Sequence, residues 1–368
     1  MRVIMTGGGT GGHVYPAIAI ADEIRRRYKD AAVLFVGAEV GMERELVPEN
    51  GYDLEIISVD GFYRKKIYKN IEVFNKLRKA SKRSKEIIRD FRPDVVIGTG
   101  GYASAAVVKT AQKMKIPTYI HEQNAYPGMT NRMLERHARK VFLGFEAAGE
   151  HFRDKNKLVN AGNPVRAVFS QTGKAEARKA LGFRDTDFVL LAFGGSQGAG
   201  RINKAMIDVI ETFNGVENFR ICIGAGKYYY EAMLDEFRER NIELHDNIII
   251  KEYISDMQKY LVSSDLVVSR SGALTVAEVT ICGKPAIFIP SPNVTGNHQY
   301  HNAMAVAQHG GAIVLEEDQL KEKKLVNEIL KLKNNPEILK DMASRSLACA
   351  PVDAAAVICD TIINDISE

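Results

Sequence analysis

The chain alternates short runs of apolar, β-branched residues with helical stretches, and it does so twice. Val3-Ile4-Met5, Val33 to Val36, Val95-Val96-Ile97, Thr118-Tyr119-Ile120 and Val141-Phe142-Leu143 form a first series. Beyond the polar stretch around Gly173, a second comprises Phe188 to Phe193, Ile221 to Ile223, Ile248 to Ile250, Leu266 to Ser269 and Ala286 to Ile289. Helical segments between such runs mark crossovers, so the pattern predicts two doubly wound parallel sheets, for which 368 residues are ample. Ligands of such sheets bind beyond the carboxyl ends of the strands.

No uncharged apolar run approaches the roughly 18 to 20 residues of a membrane span, and only Val3, Ile4 and Met5 precede the first glycine cluster. A cytoplasmic protein is therefore expected. Cys222, Cys282, Cys349 and Cys359 stand without a CxxC pair, which fits a reducing compartment and speaks against structural zinc. A net charge of +4 gives no reason to expect nucleic acid as a partner. Its distribution is uneven, because twelve Lys or Arg stand between Arg64 and Arg92 against only Glu72, Glu86 and Asp90. Phe62, Tyr63, Ile67, Tyr68, Ile71, Phe74 and Leu77 interleave with them, a pattern that can sit on anionic lipid. The alternative is that the apolar residues are core and the charges a solvated face.

The first run leads into Thr6-Gly7-Gly8-Gly9-Thr10-Gly11-Gly12-His13, with helical residues Ala17 to Arg27 following Pro16. Strand, glycine loop and helix suit a phosphate, because main-chain N–H groups and a helix N-terminus attract oxyanions. Gly7, Gly9 and Gly12 satisfy GxGxxG, yet so glycine-rich a run meets that pattern easily, and Glu39 lies farther on than the usual ribose-binding acid. A tight turn without a ligand is the alternative. Gly98-Thr99-Gly100-Gly101-Tyr102 and Gly194-Gly195-Ser196-Gln197-Gly198-Ala199 stand at two more strand ends, and three such loops predict a cleft. None ends in Lys-Ser/Thr, so ATP or GTP hydrolysis is unsupported.

After Leu266 to Ser269 comes Arg270-Ser271-Gly272-Ala273-Leu274-Thr275-Val276-Ala277-Glu278, where Ser271 or Gly272 can cap a helix whose terminus would hold a phosphate. About two turns on, Glu278 offers a carboxylate to both hydroxyls of a ribose. Gly296-Asn297-His298-Gln299-Tyr300-His301-Asn302 suits a neutral sugar. Together with Thr10-Gly11-Gly12-His13, Gly100-Gly101-Tyr102, His121-Glu122-Gln123-Asn124, Gly162-Asn163-Pro164-Val165-Arg166 and the 194–199 loop, these motifs, in this order, resemble the MurG family of peptidoglycan N-acetylglucosamine transferases, which convert lipid I to lipid II.

The resemblance implies an α/β, glycosyltransferase-B fold: two Rossmann-like lobes with parallel sheets facing a central cleft. An N-terminal acceptor and membrane lobe would span 1–163 with 352–368, and a C-terminal lobe binding UDP-N-acetylglucosamine would span 164–351. Implied donor contacts are Thr10, Gly11, Gly12, Asn124, Arg166, Ser196, Ile254 (main chain and side chain on uracil), Ala273, Leu274, Thr275, Val276, Ala277, Glu278 and Gln299. His298 stands where related enzymes have a second glutamine. Acceptor and membrane contacts would be Tyr102, Phe62, Tyr68, Phe74, Lys76 and Lys79. The implied partners are UDP-N-acetylglucosamine, undecaprenyl-linked lipid I and the anionic inner leaflet, to which the protein would bind peripherally on the cytoplasmic side.

The implied reaction is an inverting displacement, in which the acceptor's 4-hydroxyl attacks the anomeric carbon and UDP departs. Arg166, main-chain donors and a helix terminus can take up the diphosphate charge, so neither cofactor nor metal is expected. Asp185-Thr186-Asp187, the only DxD, reads as a turn, and His298 with His301 lacks a further metal-ligating partner. His13 is the expected general base, since imidazoles titrate near neutrality. Glu122 is its competitor, and a helix-capping role for His13 is the alternative. Rival readings are a diacylglycerol glycosyltransferase, a UDP-GlcNAc 2-epimerase, a non-catalytic nucleotide-binding protein and, more remotely, a nicotinamide dehydrogenase.

Overall fold

A computed structural model describes residues 1–59, 70–166, 168–195, 197–351 and 353–367, with their side chains except those of 70–75, 170 and 295. They divide into two compact units, Met1–Val165 with Pro351–Glu368, and Arg166–Ala350.

The first unit holds β1 (Arg2–Gly7), β2 (Ala32–Ala38), β3 (Asp53–Ile57), β4 (Val95–Gly100), β5 (Thr118–Glu122), β6 (Lys140–Leu143) and β7 (Leu158–Asn160) in a parallel sheet ordered β3-β2-β1-β4-β5-β6-β7. Successive strand residues point to opposite faces. Val3, Met5, Phe35, Ile97 and Phe142 therefore meet Val14, Ile18, Ala21 and Ile24 of the helix Gly11–Arg27 on one side. Ile4, Val36, Val96, Ile120 and Val141 meet Ile87, Ile88, Ala103 and Val107 of the helices Asn70–Phe91 and Gly101–Lys113 on the other. With both faces covered, the central strands carry apolar residues on both sides along their middles.

The helix Ala354–Ser367 joins this unit by burying Ile358, Cys359 and Ile362 against the Gly11–Arg27 side. Tyr119, buried on β5, donates its hydroxyl to Asp365, and Arg139 pairs with the same carboxylate at 3.0 Å. Burial alone would raise the Asp365 carboxyl, but these hydrogen bonds hold it below the usual carboxylate range.

The second unit holds β8 (Phe188–Phe193), β9 (Phe219–Gly224), β10 (Ile248–Lys251), β11 (Leu266–Ser269), β12 (Ala286–Phe288) and β13 (Ala312–Val314), parallel and ordered β10-β9-β8-β11-β12-β13. Strand order reverses between β1 and β4 in one unit and between β8 and β11 in the other. Those reversals open the crevices where doubly wound sheets bind ligands, and the glycine loops lie there.

One expectation is corrected. The first long helix begins at Gly11, not after Pro16, and contains that proline. Proline lacks the N–H that would bond to Gly12, whose exposed carbonyl water can satisfy, so the second turn tolerates it.

Candidate active site

At the β1/β4 reversal, two glycine loops press together. The Gly8 N–H donates to the Gly100 carbonyl at 3.4 Å. Gly100 and Gly101 have φ of 109° and 87°, open to glycine with little strain. A Cβ at Gly100 would lie 2.9 Å from the His13 ring, and one at Gly101 would lie 2.6 Å from the Gly8 oxygen. His13 stands in the first helical turn and donates from Nδ1 to the Gly8 carbonyl at 3.0 Å. A carbonyl only accepts, so the neutral ring carries its proton on Nδ1 and a lone pair on Nε2. Thr99 Oγ1 holds the His13 carbonyl at 2.7 Å. His13 does not cap the helix: the N-cap is Thr10, whose carbonyl accepts from the His13 and Val14 amides.

Glu122 is not placed to act as a base. Its carboxylate is buried, and Oε1 accepts from Asn124 N and Nδ2 at 3.0 and 3.2 Å while Oε2 accepts from Gly128 N and Asn131 Nδ2 at 3.0 and 2.9 Å. Four donors make it the organiser of the turn that carries Asn124. Glu122→Gln sets an amide NH₂ against two of them and is expected to lower unfolding free energy by about 2–3 kcal/mol in urea titration. Neighbouring His121 donates from Nε2 to the Gly162 carbonyl at 3.0 Å, and burial pushes it down to about 4, so it stays neutral.

Of the residues expected at acceptor and membrane, Tyr102 is exposed at the start of the helix after β4, Lys79 is exposed and Lys76 half-buried. Phe62, Tyr68 and the side chain of Phe74 lie outside the described residues. From residue 77 onward the core alternative holds: Leu77, Ala80, Ile87 and Ile88 pack on the sheet, while Arg78, Lys79, Lys82 and Lys85 face solvent.

At the β8/β11 reversal, Gly272 is the N-cap of the helix Ala273–Ile281. The Val276 amide bonds to the Gly272 carbonyl at 2.9 Å, and the Val276 and Ala277 side chains are buried. That leaves the amides of Ala273, Leu274 and Thr275 as first-turn donors. Glu278 follows on the same helix, pushed up to about 7 by burial, with the Arg166 charge opposing. The Arg166 guanidinium lies 5.4 Å from the Phe169 ring centroid. Ile254 is a core side chain, 3% exposed and packed toward Gly224, so its main chain alone is left for a base. Ser196 lies outside the described residues. Gln299 accepts on Oε1 from the Ser291 amide at 2.9 Å, leaving its NH₂ to donate, and Ser271 Oγ donates to the Gln299 carbonyl at 2.7 Å.

Gln299 shares a cavity of about 590 Å³ with Gly194, Gly198 to Arg201, Tyr229, Arg270, Ser291, Asn293 and Glu317. Sequence reasoning did not single out Arg201, Tyr229 or Arg270 for this space. Only the position of Arg270 in its motif was a signal. Arg270 pairs with Glu317 and donates to the Ile289 carbonyl at 3.0 Å. Asp185 and Thr186 form a turn, and Asp187 accepts from Arg184 Nε at 3.0 Å and Arg220 Nε at 3.3 Å. Burial would raise the Asp187 carboxyl, but these donors hold it below its usual range.

Family models match both halves of the chain: the glycosyltransferase family 28 N-terminal domain over residues 3–143, and the family 28 C-terminal domain over 189–358. A protein of Leuconostoc citreum named UDP-N-acetylglucosamine–N-acetylmuramyl-(pentapeptide) pyrophosphoryl-undecaprenol N-acetylglucosamine transferase is 44% identical over 96% of this chain and 95% of its own. The crystal structure of MurG from Acinetobacter baumannii superposes with a TM-score of 0.77 at 27% identity, covering 99% of both chains. A UDP-GlcNAc 2-epimerase of Neisseria meningitidis, with a TM-score of 0.70 at 16% identity over 99% of this chain and 100% of its own, shares the fold alone. The fold class is glycosyltransferase-B, and since successive domains of one family account for both halves, the chain belongs to glycosyltransferase family 28.

Proposed function

We propose that this chain transfers N-acetylglucosamine from UDP-N-acetylglucosamine to the 4-hydroxyl of the N-acetylmuramyl unit of lipid I, with inversion, giving lipid II and UDP. The observation that carries this is the identity, over nearly the full length of both chains, with a relative named for that reaction. In the second unit, the first-turn amides of Ala273–Ile281 and Arg166 take the diphosphate, Glu278 takes the ribose hydroxyls, the Ile254 main chain takes the base and the Gln299 amide takes a sugar hydroxyl. His13 accepts the proton of the attacking hydroxyl on Nε2. The charge that develops on the leaving UDP meets fixed dipoles and a guanidinium, and we assign no step to a metal.

Transfer of radiolabelled N-acetylglucosamine onto a lipid I analogue, with UDP-GalNAc as control donor and a chelator in half the samples, tests this reading. Labelled lipid product from UDP-GlcNAc alone, undiminished by the chelator, is the expected result. Epimerised nucleotide sugar without lipid product would overturn the function, and loss of product with chelator would overturn the metal-free step.

Among the described residues no helix is long and apolar enough to cross a membrane. A lipid-borne acceptor must still be met at a surface, and the exposed lysines of Asn70–Phe91 suit the anionic inner leaflet, with the protein peripheral on the cytoplasmic side. Each contributes about 1 kcal/mol near headgroups, so replacing both Lys79 and Lys82 with alanine is expected to weaken partitioning onto anionic vesicles about 30-fold in sedimentation. Equal binding to neutral vesicles would count against this surface.

A further inference from the structure

We propose that Glu43 is a positioning residue for the transfer: it holds the first glycine loop in the shape that offers the Gly8 carbonyl to the His13 ring. This rests on the reading of His13 as the base. Glu43 lies in the connection after β2, remote in sequence from the glycine loops, yet its side chain is 1% exposed and sits among them. Oε2 accepts from the Gly9 amide at 2.8 Å, and Oε1 accepts from the Ala38 amide at 3.0 Å. Two main-chain donors aimed at two oxygens call for a carboxylate, since a glutamine offers only one acceptor.

The fit is close on every side. A Cβ at Gly8 or Gly41 would come within 2.2 Å of the carboxylate, and one at Gly37 within 2.6 Å of Glu43 Cγ. Next door, Met42 Sδ accepts from the Gly11 amide at 3.2 Å, so residues 42 and 43 together clasp the loop on both sides of Thr10. Held by its amide, Gly9 fixes the preceding peptide, whose Gly8 oxygen receives His13 Nδ1. The linkage therefore runs from the Glu43 carboxylate through one peptide unit to the imidazole, and it sets where the Nε2 lone pair points. A displacement of about 1 Å in a reacting group can cost about 10²-fold in rate.

The test compares Glu43→Gln in two backgrounds, wild type and His13→Ala, by radiolabelled transfer. In wild type, E43Q is expected to lower kcat about 10- to 100-fold while KM for UDP-GlcNAc stays within about threefold. In the His13→Ala background the same change is expected to cost less than about twofold, because residues acting as a unit are non-additive. An equal loss in both backgrounds would overturn the proposal and leave the base assignment standing. Full kcat in His13→Ala alone would overturn the base assignment and the proposal with it. Should E43Q fail to fold, Glu43→Asp, which keeps both oxygens and withdraws them by a methylene, carries the same comparison.

Discussion

His13→Ala is expected to lower kcat by about 10²- to 10⁴-fold, the usual contribution of a general base, with little change in KM for UDP-GlcNAc. The grounds are geometric. The Nδ1–H bond to the Gly8 carbonyl leaves the lone pair on Nε2, the Thr99 hydroxyl holds the His13 main-chain carbonyl, and the Gly100 backbone confines the ring. Glu122, the nearest competitor in sequence terms, has both oxygens occupied by four donors. Steady-state assay of the purified variant decides the matter, and undiminished kcat would remove His13 from the mechanism.

Glu278→Ala is expected to lower kcat/KM for UDP-GlcNAc by about 10²- to 10⁴-fold. Two hydrogen bonds from ribose hydroxyls to a charged acceptor contribute together about 3–6 kcal/mol. The same residue is expected to give donor binding a pH dependence. Burial raises its carboxyl to about 7, above the ordinary 4.5, so the carboxylate form grows as pH rises through neutrality. Between pH 6 and pH 8 the ionised fraction rises about tenfold, and calorimetry should show affinity for UDP-GlcNAc, whose diphosphate diester does not titrate in this range, rising by about that factor. Glu278→Gln should flatten the profile. Stability moves in the opposite sense: folding favours the neutral acid, so this contribution is full below about pH 4.5 and is lost as pH rises through about 7.

What was legible in the sequence follows from burial. Strands covered on both faces, such as β1, β4, β8 and β11, read as unbroken apolar runs, and the sequence pattern locates them. The three that it misses, β3, β7 and β13, all lie at sheet edges, where one side is unpaired and residues such as Asp53, Glu55 and Asn160 interrupt the run. Loop chemistry was legible where glycine advertises a close backbone approach, as at residues 7–12 and 98–101. It was not legible where the partner of that approach is an ordinary side chain from elsewhere in the chain. Glu43 carries no local signature and Arg270 only its place in a motif, and only the fold shows what each touches. In the helix Asn70–Phe91, composition alone could not separate a lipid-facing stripe from a core-facing one. From Leu77 onward the packing assigns the apolar residues to the core.

The placement of Ala354–Ser367 has a consequence for biogenesis. A ribosome delivers residues 1–165 early, but the Gly11–Arg27 side of this unit receives Ile358 and Ile362 only after some two hundred further residues have emerged. Residues 166–350 are therefore free to reach their native form during translation while the earlier-made body waits, greasy side uncovered, for its last piece. The nascent chain thus offers chaperones a window that opens with the first sheet and closes only when Tyr119 finds Asp365.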